Sequence, residues 1–354
     1  MINTKTNQVY VLEGVWVALI EGTQLLKEIP LPRPVLSGRV ALDEKNDRFY
    51  VSYGIQTKEN VITVIEKGDK VTHIPLPYVE VLSMTIHPET QELYIAGMRV
   101  VDGKYAYSEL IIIGDNEIIS RLDIGQMVPR DISIDILNNY VYVSGGAAHP
   151  EFEFETIGVI KVIHNNELIK TLTMGQYVVD MAIDAKTGEV LVVLSPSHSR
   201  NEDNLGVRLE DTAIVNKGEI LLIQNLSGQG YIPYVHIIRH PLVDNFFYID
   251  ARDKIFAGQK TEDGMTIVVE IEVGSPGEVI PNDFDIETGN FYRANYQDDT
   301  VSVINGTENI GTIAVGGGPM GLAVNPNDRW VYVGNNRGRS VSVLGYSKPT
   351  EIIK

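Results

Sequence analysis

One pattern runs from end to end of this chain and limits what it can fold into. Tyr10, Tyr50, Tyr94, Tyr142, Tyr248, Tyr292 and Tyr332, with Leu191 filling the one gap, follow one another at intervals of 40, 44, 48, 49, 57, 44 and 40 residues, the differences between those numbers. Each anchor sits in the second of four short β-rich segments separated by Asn, Asp, Gly and Pro turn signals. A period of roughly 40–50 residues with four strands per unit is that of a propeller blade.

The segment before each anchor reads as the innermost strand. Val40–Asp43, Met84–Pro88, Ile132–Asp135, Met181–Asp184, His236–Pro241, Phe284–Ile286 and Leu322–Val324 are rich in the small and β-branched residues that suit strands packed on both faces. In the first unit only Met1-Ile2-Asn3 stands there, either as a stub or as a place completed from sequence beyond this chain. One blade cannot cover both of its faces, so the units are expected to stack radially and close a ring. Few windows show a helical apolar period. The expected fold is therefore all-β: a single propeller domain over 1–354 with about eight four-stranded blades, seven being the alternative.

Composition narrows the partners. The formal charge of −18 and a pI near 4.8 repel a phosphate backbone, so nucleic acid is not expected. No apolar run approaches the roughly 20 residues that span a bilayer, and no membrane insertion is expected. The absence of cysteine removes disulfides, thiolate nucleophiles and Cys-ligated metals. The N-terminus has no signal-peptide pattern, so the expected location is extracytoplasmic if a leader has been removed and cytoplasmic otherwise.

Val331-Tyr332-Val333-Gly334-Asn335, Ser340-Val341-Ser342-Val343 and Thr300-Val301-Ser302-Val303-Ile304-Asn305, the last followed by Ile313 through Pro319, resemble the YVTN-type propeller repeat of surface-layer and cytochrome-like proteins. The resemblance is dense over 280–354 and sparser, though in register, elsewhere. It implies the fold. Its members include scaffolds, lyases, lactonase-like enzymes and haem-binding proteins, so it does not choose an activity.

Insertions between second and third strands point to one face. They are expected as long loops at 97–108, 145–158 and 195–218, in three neighbouring units, forming a raised wall. Within it His149, Glu151, Glu153, Glu155 and His198, with Glu202, Asp203, Glu210 and Asp211, are the residue types that hold a divalent cation such as Ca²⁺ or Mg²⁺ or move protons. The alternation over Glu151-Phe152-Glu153-Phe154-Glu155 puts three carboxylates on one side if extended, and a solvated ribbon edge explains it equally. Arg33, Tyr78, Glu80, Arg130, Asp131, Tyr177, Asp180 and Asp283 fall in the links entering inner strands, where they can hold a small polar or carboxylate-bearing ligand or pair with one another; Arg130 beside Asp131 reads as such a pair. His87 and His240, each followed by proline, read as turn residues, and Met98, Met127, Met174 and Met320 as gap-filling apolar contacts.

Three functions fit. The first is a binding or scaffold propeller that presents these loops to a protein, glycan or small polar ligand. The second is a metal-assisted propeller lyase or lactone hydrolase using His149 or His198. The third is a haem-binding propeller, which needs one of the same histidines as axial ligand.

Overall fold

Every anchor of the repeat is buried. In the computed structural model the seven tyrosines and Leu191 are between 0% and 6% exposed, each in the second strand of its own sheet. The structure describes residues 1–35, 38–54, 58–148, 156–174, 177–195, 211–225, 235–251, 253–261, 264–277, 281–345 and 348–353. Among them 32 strands form eight four-stranded antiparallel sheets, each built from four consecutive strands, with no helix. The fold is an eight-bladed β-propeller, and eight blades settle the count against seven.

The first blade uses its own stub: Ile2–Asn3 is the inner strand, pairing Ile2 with Val9 and Asn3 with Gln8. The other inner strands overlap the expected segments but begin earlier in several blades, at Val79, Val128, Tyr177 and Pro319, and end earlier in others, at Ile86, Ile183, Arg239 and Asp285.

The chain divides into two compact units of four blades each, Leu31–Tyr231 with blades 2 to 5, and Met1–Pro30 with Ile232–Lys354, holding blades 6, 7, 8 and 1. Within the first, apolar faces meet pairwise: Ile62 and Val64 pack with Ile95 and Ile111, Leu110 and Ile112 with Val143 and Val159, and Val162 with Val190 and Val192. Within the second, Tyr248 and Ala257 pack with Phe291 and Ile304, Val301 and Val303 with Val331 and Val333, and Tyr332 and Val343 with Val9 and Ile20. Each such aliphatic side chain contributes about 1.5–3 kcal/mol by leaving water. In the last pair the ends of the sequence meet, and the Asn327 amide donates to Asn7 Oδ1 at 2.6 Å.

The turn after each inner strand follows one rule. A buried acceptor at its first position takes the backbone N–H two residues on, often the next as well: Asn3 with Lys5, Asp43 with Lys45 and Asn46, Asp135 with Leu137 and Asn138, Asp184 with Lys186, Asp285 with Glu287 and Thr288, and Asn325 with Asn327. This is an Asx turn. In blades 3 and 6 histidine substitutes, His87 Nδ1 accepting from Glu89 and Thr90 and His240 Nδ1 from Leu242 and Val243, in line with the turn role read from their shared position.

Outer strands carry a β-bulge in most blades, with the extra residue Leu26, Ile119, Ile169, Leu221, Val268 or Ile310. Such bulges twist an edge away from further pairing.

Candidate functional site

Where the expected wall is described, it is built of paired strand. In blade 3 the second and third strands, Leu93–Val101 and Lys104–Gly114, run nine and eleven residues and pair from Leu93 with Ile113 out to Val101 with Lys104. Two residues close the hairpin, Asp102 (φ 51°) and Gly103 (φ 75°), the pair of left-handed conformations that a type I′ turn demands. The span 97–108 is thus a β-hairpin and not a long loop, because the ladder continues past the point where both faces leave the core. In blade 4 the ladder likewise runs out to Ala148 with Thr156. In blade 5 the third strand is Asp211–Asn216, and Lys217 and Gly218 form the following turn, so the connection read as 195–218 narrows to 196–210.

The metal candidates fall between the described strands of blades 4 and 5. His149, Glu151, Glu153, Glu155, His198, Glu202, Asp203 and Glu210 lie outside the described residues, as does the side chain of Asp211. Among the described residues no three His, Asp or Glu side chains gather closely enough to hold an ion.

The blade 3 hairpin presents rings to solvent. Tyr78, at φ 59° just before the inner strand, is 43% exposed, Tyr105 55% and Val101 48%. The Tyr78 carbonyl accepts from the Val100 N–H at 2.9 Å, and the Tyr105 hydroxyl donates to Glu80, so one edge of the hairpin is tied to the entry of the inner strand.

At its base is a cluster that sequence reasoning missed. Glu109, with its side chain 3% exposed, accepts from Arg99 Nε at 2.9 Å and Nη2 at 2.7 Å, and from Arg121 Nη1 at 2.9 and 3.0 Å. Arg99 also reaches the Pro77 carbonyl. Three adjacent strands thus converge on one buried carboxylate. The available signal was a charged residue directly before the apolar run Leu110 to Ile113, with arginines ten residues before and twelve after it.

The remaining candidates sit in strands more than in links. Arg33 does lie in a link; it stacks on the Tyr53 ring at 4.6 Å and donates to the Asn60 side chain, whose amide in turn reaches the Val79 carbonyl. Arg130 is the bulged residue of its inner strand, between Pro129 and Asp131. Its side chain lies over Tyr177 of the next blade, 5.4 Å from the ring centroid, and donates to the Tyr177 hydroxyl at 3.1 Å. Asp131 stands opposite Ser144, and Asp180 opposite Val193. Asp283 belongs to the other unit, where it accepts the Phe284 and Val324 N–H groups at 2.8 and 2.9 Å; burial pushes its carboxyl above the ordinary range. Its role there is to join two blades. Met98, Met127 and Met174 are buried as expected, but Met320 is 41% exposed because it is the bulged residue between Pro319 and Gly321.

That other unit holds two further polar centres. Arg293 and Asp250, both with fully buried side chains, form an ion pair at 3.3 Å, and Arg293 Nη1 also donates to Asn295 Oδ1 at 2.6 Å. Burial raises the Asp250 carboxyl, and the guanidinium opposes the rise. Asn295 and Asn335, the last residues of the second strands Asn290–Asn295 and Val331–Asn335, each donate to hydroxyls on the third strand: Thr300 and Ser302, and Ser340 and Ser342. Above them Arg337 stacks on Tyr296 at 4.8 Å and pairs with Asp299 at 2.5 Å. Asp299 also takes the Gly318 N–H, so the Gly316–Pro319 run meets a carboxylate and not a phosphate.

No family model matches the chain, and no curated protein matches it. Solved structures do. The chain is similar to a dihydro-heme d1 dehydrogenase, NirN, in complex with DHE, at 13% identity and a TM-score of 0.68, over 98% of this chain and 72% of that one. It is similar to the hydrazine synthase of Kuenenia stuttgartiensis at 9% identity and a TM-score of 0.59, over 98% and 94%. It is also similar to the WD40 β-propeller domain of Doa1 at 11% identity and a TM-score of 0.54, over 88% and 94%. At these identities the likeness is one of fold.

Proposed function

We propose that this chain is a binding propeller that engages a partner through the connections between second and third strands of blades 3 to 5, with a protein or glycan as the class of partner. The observation that carries this reading is the blade 3 hairpin, which extends beyond the packed part of the sheet and holds Val101 and Tyr105 out to solvent near the exposed Tyr78. Tyrosines offer a large contact area at little conformational cost and are favoured in recognition surfaces. The described polar candidates favour the same reading, since Arg33, Arg99, Arg121 and Arg130 are held by aromatic rings or by a carboxylate and do not converge on a reacting centre. The Asn295 and Asn335 contacts support kinship with YVTN-type repeats.

The test compares the native chain with one in which Asn-Gly replaces residues 100–106, leaving Arg99 opposite Tyr107 and the Glu109 cluster in place. Both are applied to glycan and peptide arrays. The reading expects ligands that bind the native chain and are lost with the trimmed one; identical profiles overturn it.

The haem and metal-assisted alternatives both rest on His149 and His198. A Soret shift on adding haemin, abolished by His149→Ala or His198→Ala, supports the first; a Ca²⁺- or Mg²⁺-dependent activity with the same sensitivity supports the second.

A further inference from the structure

At the opposite end of the same strands, where turns leave the inner strands of blades 3 and 4 and the third strand of blade 4, lies a cavity of about 350 Å³ whose lining includes His87, Glu92, Tyr94, Val141, Ile163 and Asn166. We propose that it binds a neutral, hydroxyl-rich ligand the size of one sugar unit, anchored by the His87 Nε2–H.

The histidine carries the argument. His87 is 6% exposed, and its Nδ1 accepts the Glu89 and Thr90 backbone N–H groups at 3.2 Å each, so the ring proton is on Nε2. In blade 6 the equivalent His240 makes the same turn, and its ring lies close against the Gly289 backbone. That contact needs glycine: a Cβ on Gly289, at φ 75°, would lie 3.2 Å from His240 Nε2. The corresponding residue facing His87 is Asn139, three before Tyr142 as Gly289 is three before Tyr292. Asn139 has a Cβ, and its carbonyl already accepts from His164 Nδ1 at 2.9 Å. The His87 hydrogen bonds found among the described residues both go to Nδ1, and the ring borders the cavity. The ring is nearly buried and its remaining donor is open to an oxygen that enters the cavity.

The rest of the wall selects the class. Glu92, held by the Thr90 hydroxyl at 2.9 Å, is an acceptor that repels carboxylates and phosphates. Burial and that carboxylate push the Tyr94 phenol up to about 12, so it keeps its hydrogen. Asn166, in an exposed left-handed turn, adds an amide that both donates and accepts. Val141 and Ile163, 7% and 1% exposed, form an apolar floor for the C–H face of a ring. Hydroxyls give and take hydrogen bonds, as this wall does. The volume lies near the lower end of the roughly 300–1,000 Å³ of small-molecule sites, which suits one ring.

The experiment titrates methyl glycosides of glucose, galactose, mannose and N-acetylglucosamine, by saturation-transfer NMR and calorimetry. His87→Asn keeps the turn, since Asn3 and Asn325 hold theirs, and removes the Nε2 donor. Asn166→Gly removes the amide at a position whose φ of 61° glycine adopts freely. The native chain, the His240→Asn control and the hairpin-trimmed chain are expected to bind at least one glycoside saturably. His87→Asn weakens it about tenfold, the equivalent of one lost hydrogen bond, and Asn166→Gly weakens it less. No saturable binding of any glycoside by the native chain, or equal binding by His87→Asn and Asn166→Gly, overturns the assignment. Because the trimmed chain keeps this cavity, its failure and that of the hairpin reading are separable.

Discussion

His87 in blade 3 and Asp135 in blade 4 hold equivalent turns in the same way, each offering one side-chain acceptor to two backbone N–H groups: Nδ1 to Glu89 and Thr90, Oδ1 to Leu137 and Asn138. The chemistry required at this position is a short, buried acceptor, and either a carboxylate, an amide or a neutral imidazole meets it. Asp135→Ala leaves two backbone donors and the Asn138 amide without this partner and is expected to destabilise the chain by about 1–3 kcal/mol. Asp135→Asn is expected to lose only a fraction of that. Urea denaturation of the two variants checks the difference.

His240 makes the same device sensitive to acid. It packs among the rings of Phe246, Tyr248 and Phe284, and burial lowers its pKa below the ordinary value of 6.5 despite the opposing effect of the Gly289 backbone. The unfolded chain then binds more protons than the folded one in this range, so stability falls as pH falls. The contribution is complete above 6.5 and declines as pH drops through the lower folded value. Thermal unfolding measured from neutral to mildly acidic pH is expected to show a shallower decline for His240→Asn than for the native chain.

Glu109 is the linchpin of the blade 3 cluster. Glu109→Leu leaves Arg99 and Arg121 facing each other without a counter-charge and is expected to destabilise by about 3–5 kcal/mol, the usual range for breaking a buried pair. Arg121→Met is expected to be milder than Arg99→Met, because Arg121 is 32% exposed and Arg99 20%, and because Arg99 also holds the Pro77 carbonyl. Equilibrium unfolding of the three variants gives the order.

The Asp250–Arg293 pair is sealed from water on both sides. Either Asp250→Ala or Arg293→Met alone strands a buried partner, whereas the double variant strands neither. A double-mutant cycle is expected to show a double variant less destabilised than the sum of the singles. Additive effects contradict that account.

The blade architecture was legible because its signals are local: an aromatic that must be buried, alternation on either side of it, and turn residues between. Val40–Asp43 matched its strand to the residue. The hairpins were not legible as strands. Lys104 to Ser108 is polar and exposed at its outer end, so nothing in its hydrophobicity distinguishes a ribbon from a loop; only the pairing with Met98 to Val101 does. In blade 5 the strand Asp211–Asn216 was absorbed into the expected loop because it opens on Asp and Thr and follows a long polar stretch. Partners were harder still. Arg130 sits beside Asp131 in sequence, and the bulge at Arg130 turns its side chain toward Tyr177, 47 residues away. Single residues announce charge or ring, and a bulge decides which neighbour receives it.

The central functional claim is that the blade 3 hairpin exists for contact with a partner and not for the stability of the blade beneath it. Equilibrium unfolding of the chain with Asn-Gly in place of residues 100–106, run beside its array binding, tests this directly. The account predicts a stability within about 1 kcal/mol of the native chain, as for exposed changes away from packed features, together with loss of hairpin-dependent ligands. A trimmed chain that is several times more destabilised than that, or that retains every ligand of the native chain, contradicts it.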